Sequence, residues 1–133
     1  MDLVIKKVLL ADDDENIIDS LTLWVEAIAI LKGALILTAM TAEKTEETII
    51  KELPELVFLD LGLGNGISGL DILKRVKPIV GDKCQIFVFS GYKEYAEECL
   101  KNGASGFIKK GTRFNEFVKV IENEFKKQDK KTS

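Results

Sequence analysis

The stretch LVFLDLGLGNGISGLDIL, residues 56–73, decides how the chain is read. An apolar run ends on Asp60, a glycine-rich loop follows, and a helix-like pattern begins. A short unbroken apolar run bounded by turn residues describes a strand covered on both faces, since neither side has to meet water. Within the loop, Gly64-Asn65-Gly66-Ile67-Ser68-Gly69 spells GxGxxG. A dinucleotide-binding loop of that spelling follows the first strand of its fold, with an acid about 20 residues further on. The position of residues 56–60 in the order of strands therefore decides between a pyrophosphate cradle and a turn.

Outward from this stretch the same alternation repeats. VIKKVLLA (4–11) and ALILTAM (34–40) read as strands before it, and CQIFVFS (84–90) and SGFIKK (105–110) as strands after it. Between them lie helical patterns. From Glu15 to Lys32, apolar residues fall at Ile17, Leu21, Trp24 or Val25, and Ile28, with Gly33 as the expected stop. Residues 41–53 form a charged amphipathic helix closed by Pro54. Ser68 and Asp71 make an S-x-x-D capping box for the helix after the loop, which Pro78 is expected to end. Residues 93–102 form a helix closed by Gly103, and the last helix runs from Arg113 to about Lys127 through Phe114, Phe117, Val118, Ile121 and Phe125. Residues 1–127 are expected to form one domain and residues 128–133 a disordered tail.

Five apolar strands alternating with five helices indicate an α/β fold: a doubly wound, five-stranded parallel sheet with helices on both faces. LVFLD is the third strand, so the glycine loop stands in the wrong place for a dinucleotide fingerprint, and nearby acids would repel a pyrophosphate. In such sheets ligands bind beyond the carboxyl ends of the strands.

Composition narrows the chemistry. The chain has 133 residues, 46% hydrophobic and 31% charged, with a net charge of −3, which disfavours direct contact with nucleic acid. No apolar run is long enough to span a membrane. The opening MDLVIKKVLL runs into three aspartates without a small-residue cleavage site, so no signal peptide is expected and the protein is expected to be cytoplasmic. Cys84 and Cys99 have no metal-ligand spacing. There is no histidine, which removes Ser-His and Cys-His catalysis and every His-ligated metal.

The strand ends then carry the functional reading. Strand one ends in Asp12-Asp13-Asp14, strand three in Asp60, strand four in Ser90 and strand five in Lys109-Lys110. Asp14 is the expected cap of the first helix. Carboxylates brought together repel, and a divalent cation relieves that repulsion; hard oxygen ligands suit Mg²⁺. A metal, a carboxylate nucleophile, a hydroxyl and a lysine are the equipment of phosphoryl transfer. Lys109 and Lys110 are adjacent and should point to opposite sides, with Lys110 favoured for the site.

VLLADDDENI, LVFLDLGLG, FVFSG and GASGFIKKG together resemble the receiver domain of two-component response regulators, the CheY-like fold with strand order 2-1-3-4-5, over about residues 5–125. The resemblance implies that Asp13 ligates Mg²⁺ directly, that Asp12 acts mainly through water, and that Asp60 is both the phosphoacceptor and a metal ligand. It implies that the backbone carbonyl of Gly62 completes the metal site and that Lys110 binds the phosphoryl group. It further implies that Ser90 contacts the phosphoryl and triggers a switch, with Phe107 as the rotameric aromatic. The glycines would allow tight or left-handed backbone and let Gly62 turn its carbonyl to the metal. The implied partners are a sensor histidine kinase or a histidine phosphotransfer protein, and a downstream protein target on the face of helix four, strand five and helix five. Such a domain catalyses its own aspartate phosphorylation and dephosphorylation and does not turn over small substrates. Three positions depart from the family pattern. Gly64 stands where proline is common, Gly69 lies nine rather than eight residues beyond Asp60, and Gly111 replaces the proline that usually follows the lysine.

Two other readings use the same residues. A phosphorylation-independent pseudo-receiver scaffold would keep the fold, but it has no need for the repelling acids. An aspartate-nucleophile phosphohydrolase of the haloacid-dehalogenase type uses D-x-D, and Asp60-Leu61-Gly62 lacks the second acid.

Overall fold

The structure, a computed structural model, describes residues 5–64 and 69–132. Among these, five strands alternate with five α-helices: β1 Lys7–Ala11, α1 Glu15–Ala27, β2 Leu35–Ala39, α2 Ala42–Glu52, β3 Leu56–Leu59, α3 Gly69–Val80, β4 Gln85–Ser90, α4 Ala96–Lys101, β5 Gly106–Lys109 and α5 Phe114–Thr132. The sheet is parallel throughout, in the order β2-β1-β3-β4-β5. This is the doubly wound fold that the unbroken apolar strands predict.

Strand pleating sends alternate residues to opposite faces. Leu9, Ala11, Val57, Leu59, Ile86 and Val88 face one layer, where Ala42 and Ile49 of α2, Ile72, Leu73 and Val76 of α3 and Cys99 of α4 cover them. Val8, Leu10, Leu56, Phe58, Phe87 and Phe89 face the other, under Leu21 and Val25 of α1 and Phe117, Ile121 and Phe125 of α5. Phe58 is sandwiched between Phe87 and Phe117, with ring centroids 6.0 and 5.2 Å away.

Several boundaries move by a residue or a turn. On α1 the buried stripe is Ile18, Leu21 and Val25: of the expected pair Trp24 or Val25 it takes Val25, and it lies one step from the expected Ile17; Ile17 and Trp24 flank the core. Trp24 packs on Phe114 and Phe117 of α5. α1 stops at Ala27 rather than Lys32; Ile28 is extended and a 3₁₀ turn follows over Ala29–Leu31. That tighter turn keeps Leu31 buried while the chain reverses into β2 at Gly33, whose φ is 86°. Pro78 lies inside α3 and does not end it. Pro78 and Lys74, whose carbonyl loses its helical donor, are both exposed, so water can take that carbonyl. α4 is short, with a 3₁₀ turn over Lys93–Tyr95 before it. α5 runs on to Thr132, past the expected end near Lys127; KKQDKK consists mostly of good helix formers. Ser68 of the predicted capping box lies outside the described residues. At the start of α3 the Gly69 N–H donates to the Leu61 carbonyl at 2.7 Å.

Candidate functional site

Register brings the strand ends level. Ala11 pairs with Leu59, Leu59 with Val88, and Ser90 with Lys109. Asp12, Asp60, Ser90 and Lys110 therefore leave the same edge of the sheet on four adjacent strands. The Asp60 N–H donates to the Ala11 carbonyl at 2.9 Å and the Lys110 N–H to the Ser90 carbonyl at 2.9 Å, which carries the ladder one residue past the strands.

Asp12 is 1% exposed. Its Oδ1 accepts the Asp14 N–H at 2.9 Å, which tightens the turn into α1. Asp14 caps that helix as expected, its side chain accepting the Asn16 N–H at 2.9 Å. Asp12 Oδ2 lies 3.0 Å from the Lys110 ammonium but meets no hydrogen-bonding geometry, so it is a buried acceptor with charge compensation and no hydrogen bond. Lys110 also reaches Asp60 Oδ1 at 3.2 Å and so bridges the two carboxylates. Lys109 points away and is exposed. Asp13 is exposed, yet one oxygen from each of Asp12, Asp13 and Asp60 lies within 4.8 Å of the others.

Burial raises the Asp12 carboxyl above the ordinary aspartate range; the Asp14 N–H and the Lys110 ammonium lower it, and the Asp60 charge raises it again. Burial pulls Lys110 down, but the paired carboxylates outweigh it and hold the ammonium above the ordinary lysine range. The site is therefore a crowded anionic rim with a single lysine as its internal counter-ion. A buried carboxylate oxygen without a hydrogen bond, beside two further carboxylates, fits a hard divalent cation such as Mg²⁺.

Ser90 is 1% exposed, and its Oγ accepts the Tyr92 N–H at 3.0 Å, which leaves the hydroxyl proton available. Phe107 is half-buried on the α2–α4 side of the sheet, against the core. Gly62 does not adopt a left-handed conformation, whereas Gly64 does, with φ 65°. A Cβ on Gly62 would lie 3.9 Å from Asp60 Oδ2, so the missing side chain keeps that oxygen approachable. A Cβ on Gly69 would overlap the Asp60 carbonyl oxygen and lie 2.9 Å from Leu61 Cα. The first residue of α3 thus packs directly on the backbone that carries Asp60. Beside the site, Leu61, Gly62, Leu70, Tyr92 and Tyr95 line a cavity of about 240 Å³.

Sequence reasoning brought Asp12, Asp13, Asp60 and Lys110 to one edge, and the structure places them there. It did not find the Tyr92 N–H on Ser90 or the Gly69 contact with the Asp60 peptide. The one available signal was a glycine, a poor helix former, as the first residue of a helix.

The sequence model of the response regulator receiver domain matches residues 8–122. The chain is 26% identical over 110 residues to the transcriptional regulatory protein ComA of Bacillus subtilis, covering 79% of this chain and 49% of that protein. It spans about half or less of the length of the curated relatives it matches. Among solved structures, it is similar to a CheY-like response regulator receiver domain protein from Methanospirillum hungatei, with a TM-score of 0.81, 24% identity, and coverage of 96% of this chain and 98% of that one. It is also similar to the receiver domain of NtrX from Brucella abortus, with a TM-score of 0.73, 28% identity, and coverage of 90% and 98%. No helix among the described residues is long and apolar enough to cross a membrane.

Proposed function

Because the chain belongs to the response regulator receiver domain family, we propose that Asp60 accepts a phosphoryl group from a phosphohistidine of a sensor kinase or phosphotransfer protein. The observation that carries this reading is the Lys110 ammonium bridging Asp12 and Asp60, 3.0 and 3.2 Å away, at a rim with a third carboxylate. Buried like charges are costly, and a fold that keeps them gains only if a cation and an anionic ligand belong there.

Asp60 Oδ2, next to the open space over Gly62, attacks the phosphorus in line. The phosphorus–nitrogen bond breaks, and the donor imidazole leaves with the bonding electrons. The chain has no histidine, so the donor is another molecule. Lys110 leaves its carboxylate partners for a phosphoryl oxygen, and the Ser90 hydroxyl donates to another. Asp13, Asp60 and the Gly62 carbonyl would hold Mg²⁺, with Asp12 acting mainly through water. When bound, that ion neutralises charge between the carboxylates and the incoming phosphoryl group. Hydrolysis later returns Asp60 to the carboxylate.

Drawing Ser90 inward breaks its hold on the Tyr92 N–H, which sits at the entrance to α4. The α4–β5–α5 face, with exposed Tyr95, Leu100 and Val120 and half-buried Phe107, then shifts between two populations and changes its affinity for a downstream protein. Both cysteines are free and buried, which suits a reducing cytoplasm.

Incubation with acetyl phosphate and Mg²⁺, followed by intact-mass measurement, tests the reading. The expected result is addition of one phosphoryl group in the wild type and none in Asp60→Asn. An unmodified wild type would instead favour the phosphorylation-independent scaffold.

A further inference from the structure

Lys110 has four side-chain torsions, yet its ammonium meets two carboxylates at once, so its Cα must start from a fixed place. One tie is the Lys110 N–H on the Ser90 carbonyl at 2.9 Å. Beyond it the chain turns at once. Gly111 takes φ 98°, and the Thr112 N–H donates back to the Lys109 carbonyl at 3.1 Å. The Thr112 Oγ1 donates to that same carbonyl at 2.6 Å. Lys110 and Gly111 are thus the two middle residues of a turn closed twice by one residue, and a left-handed glycine in the second middle position is what a type II turn requires.

The glycine is there for its backbone and not for space, because a Cβ at Gly111 would meet nothing within 4 Å. Within α5 the Glu116 and Phe117 N–H groups donate to the Arg113 carbonyl, at 3.1 and 3.0 Å. The Thr112 hydroxyl donates to the Lys109 carbonyl.

We propose that the Gly111–Thr112 turn is a positioning device for Lys110, and that Thr112 is a positioning residue acting through Lys110 on phosphoryl binding. This rests on the assignment of Lys110 to the phosphoryl group made above. Local hydrogen bonds fix the direction in which the lysine leaves the sheet, so its ammonium finds the carboxylates, and then the phosphoryl oxygens, without a search.

The test compares the wild type, Thr112→Val, Thr112→Ser, Lys110→Gln and the Thr112→Val/Lys110→Gln double variant. Each is checked for folding by thermal melting, then titrated with Mg²⁺ alone and with beryllofluoride in saturating Mg²⁺. Valine keeps the shape of threonine and removes the hydroxyl. Thr112→Val is expected to weaken beryllofluoride binding about fivefold, the worth of one hydrogen bond, and to leave Mg²⁺ affinity within about twofold. Thr112→Ser should restore binding, and Thr112→Val should add no further loss in the Lys110→Gln background, as for residues that act through one another. Wild-type binding with an unchanged Thr112→Val, or an undiminished loss in the Lys110→Gln background, overturns the positioning role alone. A wild type that binds no beryllofluoride overturns the Asp60 reading together with this one.

Discussion

The Lys110 ammonium stands 3.0 Å from Asp12 and 3.2 Å from Asp60, one cation between two buried carboxylates on neighbouring strands. Neither acid would be tolerable there alone, and removing the lysine exposes the repulsion. Lys110→Ala should lower stability at neutral pH by about 1–2 kcal/mol, below the 3–5 kcal/mol of a fully buried pair because Lys110 is 28% exposed. Millimolar Mg²⁺ should return most of the loss, and a thermal melt with and without Mg²⁺ checks both. The folded pKa of Lys110 lies above its ordinary value, so this stabilisation is complete through neutral pH and is lost only as pH rises through that raised value.

Asp12 works in the opposite sense. Burial raises its pKa, so the folded protein binds that proton more tightly than the unfolded chain does. Stability from this group is present below the unfolded value and is lost as pH rises through the raised folded value. Asp12→Asn keeps the acceptor for the Asp14 N–H and removes the charge. Without Mg²⁺ it should raise the melting temperature at pH 7 by a few degrees, and the gain should vanish in acid. A gain that persists below the aspartate range would contradict the electrostatic origin.

Two glycines near Asp60 should respond differently to a methyl group. Gly69→Ala places Cβ against the Asp60 carbonyl and should cost about 1–3 kcal/mol, the range for overpacking, with slower phosphorylation because Asp60 itself is displaced. Gly62→Ala puts its Cβ in ordinary contact at 3.9 Å and should leave stability unchanged. A larger side chain, as in Gly62→Phe, should slow both gain and loss of the phosphoryl group by narrowing the approach to Oδ2. Denaturant melts and the rate of mass change in acetyl phosphate separate these cases.

Ser90→Ala removes the acceptor from the Tyr92 N–H and should cost about 1 kcal/mol. It should also lengthen the time needed for phosphorylation while leaving Mg²⁺ affinity in place. Ser90→Thr keeps the hydroxyl and should behave as wild type. If Ser90→Ala changes stability but not phosphorylation, the hydroxyl serves only the turn into α4.

Topology and the acidic rim were legible in the chain because apolar strands covered on both faces leave little ambiguity, and Asp12, Asp60, Ser90 and Lys110 each end one. Contacts that depend on three-dimensional closeness were not legible. The choice between Trp24 and Val25 and the shift from Ile17 to Ile18 on the buried stripe of α1 turn on one residue of helical phase, and all four are apolar. Pro78 reads as a stop because its missing N–H is visible in sequence, while the exposure of Lys74 that makes it harmless is not. Thr112 and Gly69 look like ordinary loop residues until the Lys109 carbonyl and the Asp60 peptide are placed beside them.

The most direct measurement traps the acyl group itself. Protein treated with acetyl phosphate and Mg²⁺ is reduced with borohydride, digested and mapped by mass spectrometry. A reduced side chain confined to Asp60, abolished by chelating the metal, is the predicted result. Labelling at Asp12 or Asp13, labelling that survives chelation, or none at all would contradict the assignment of this acidic rim to phosphoryl transfer.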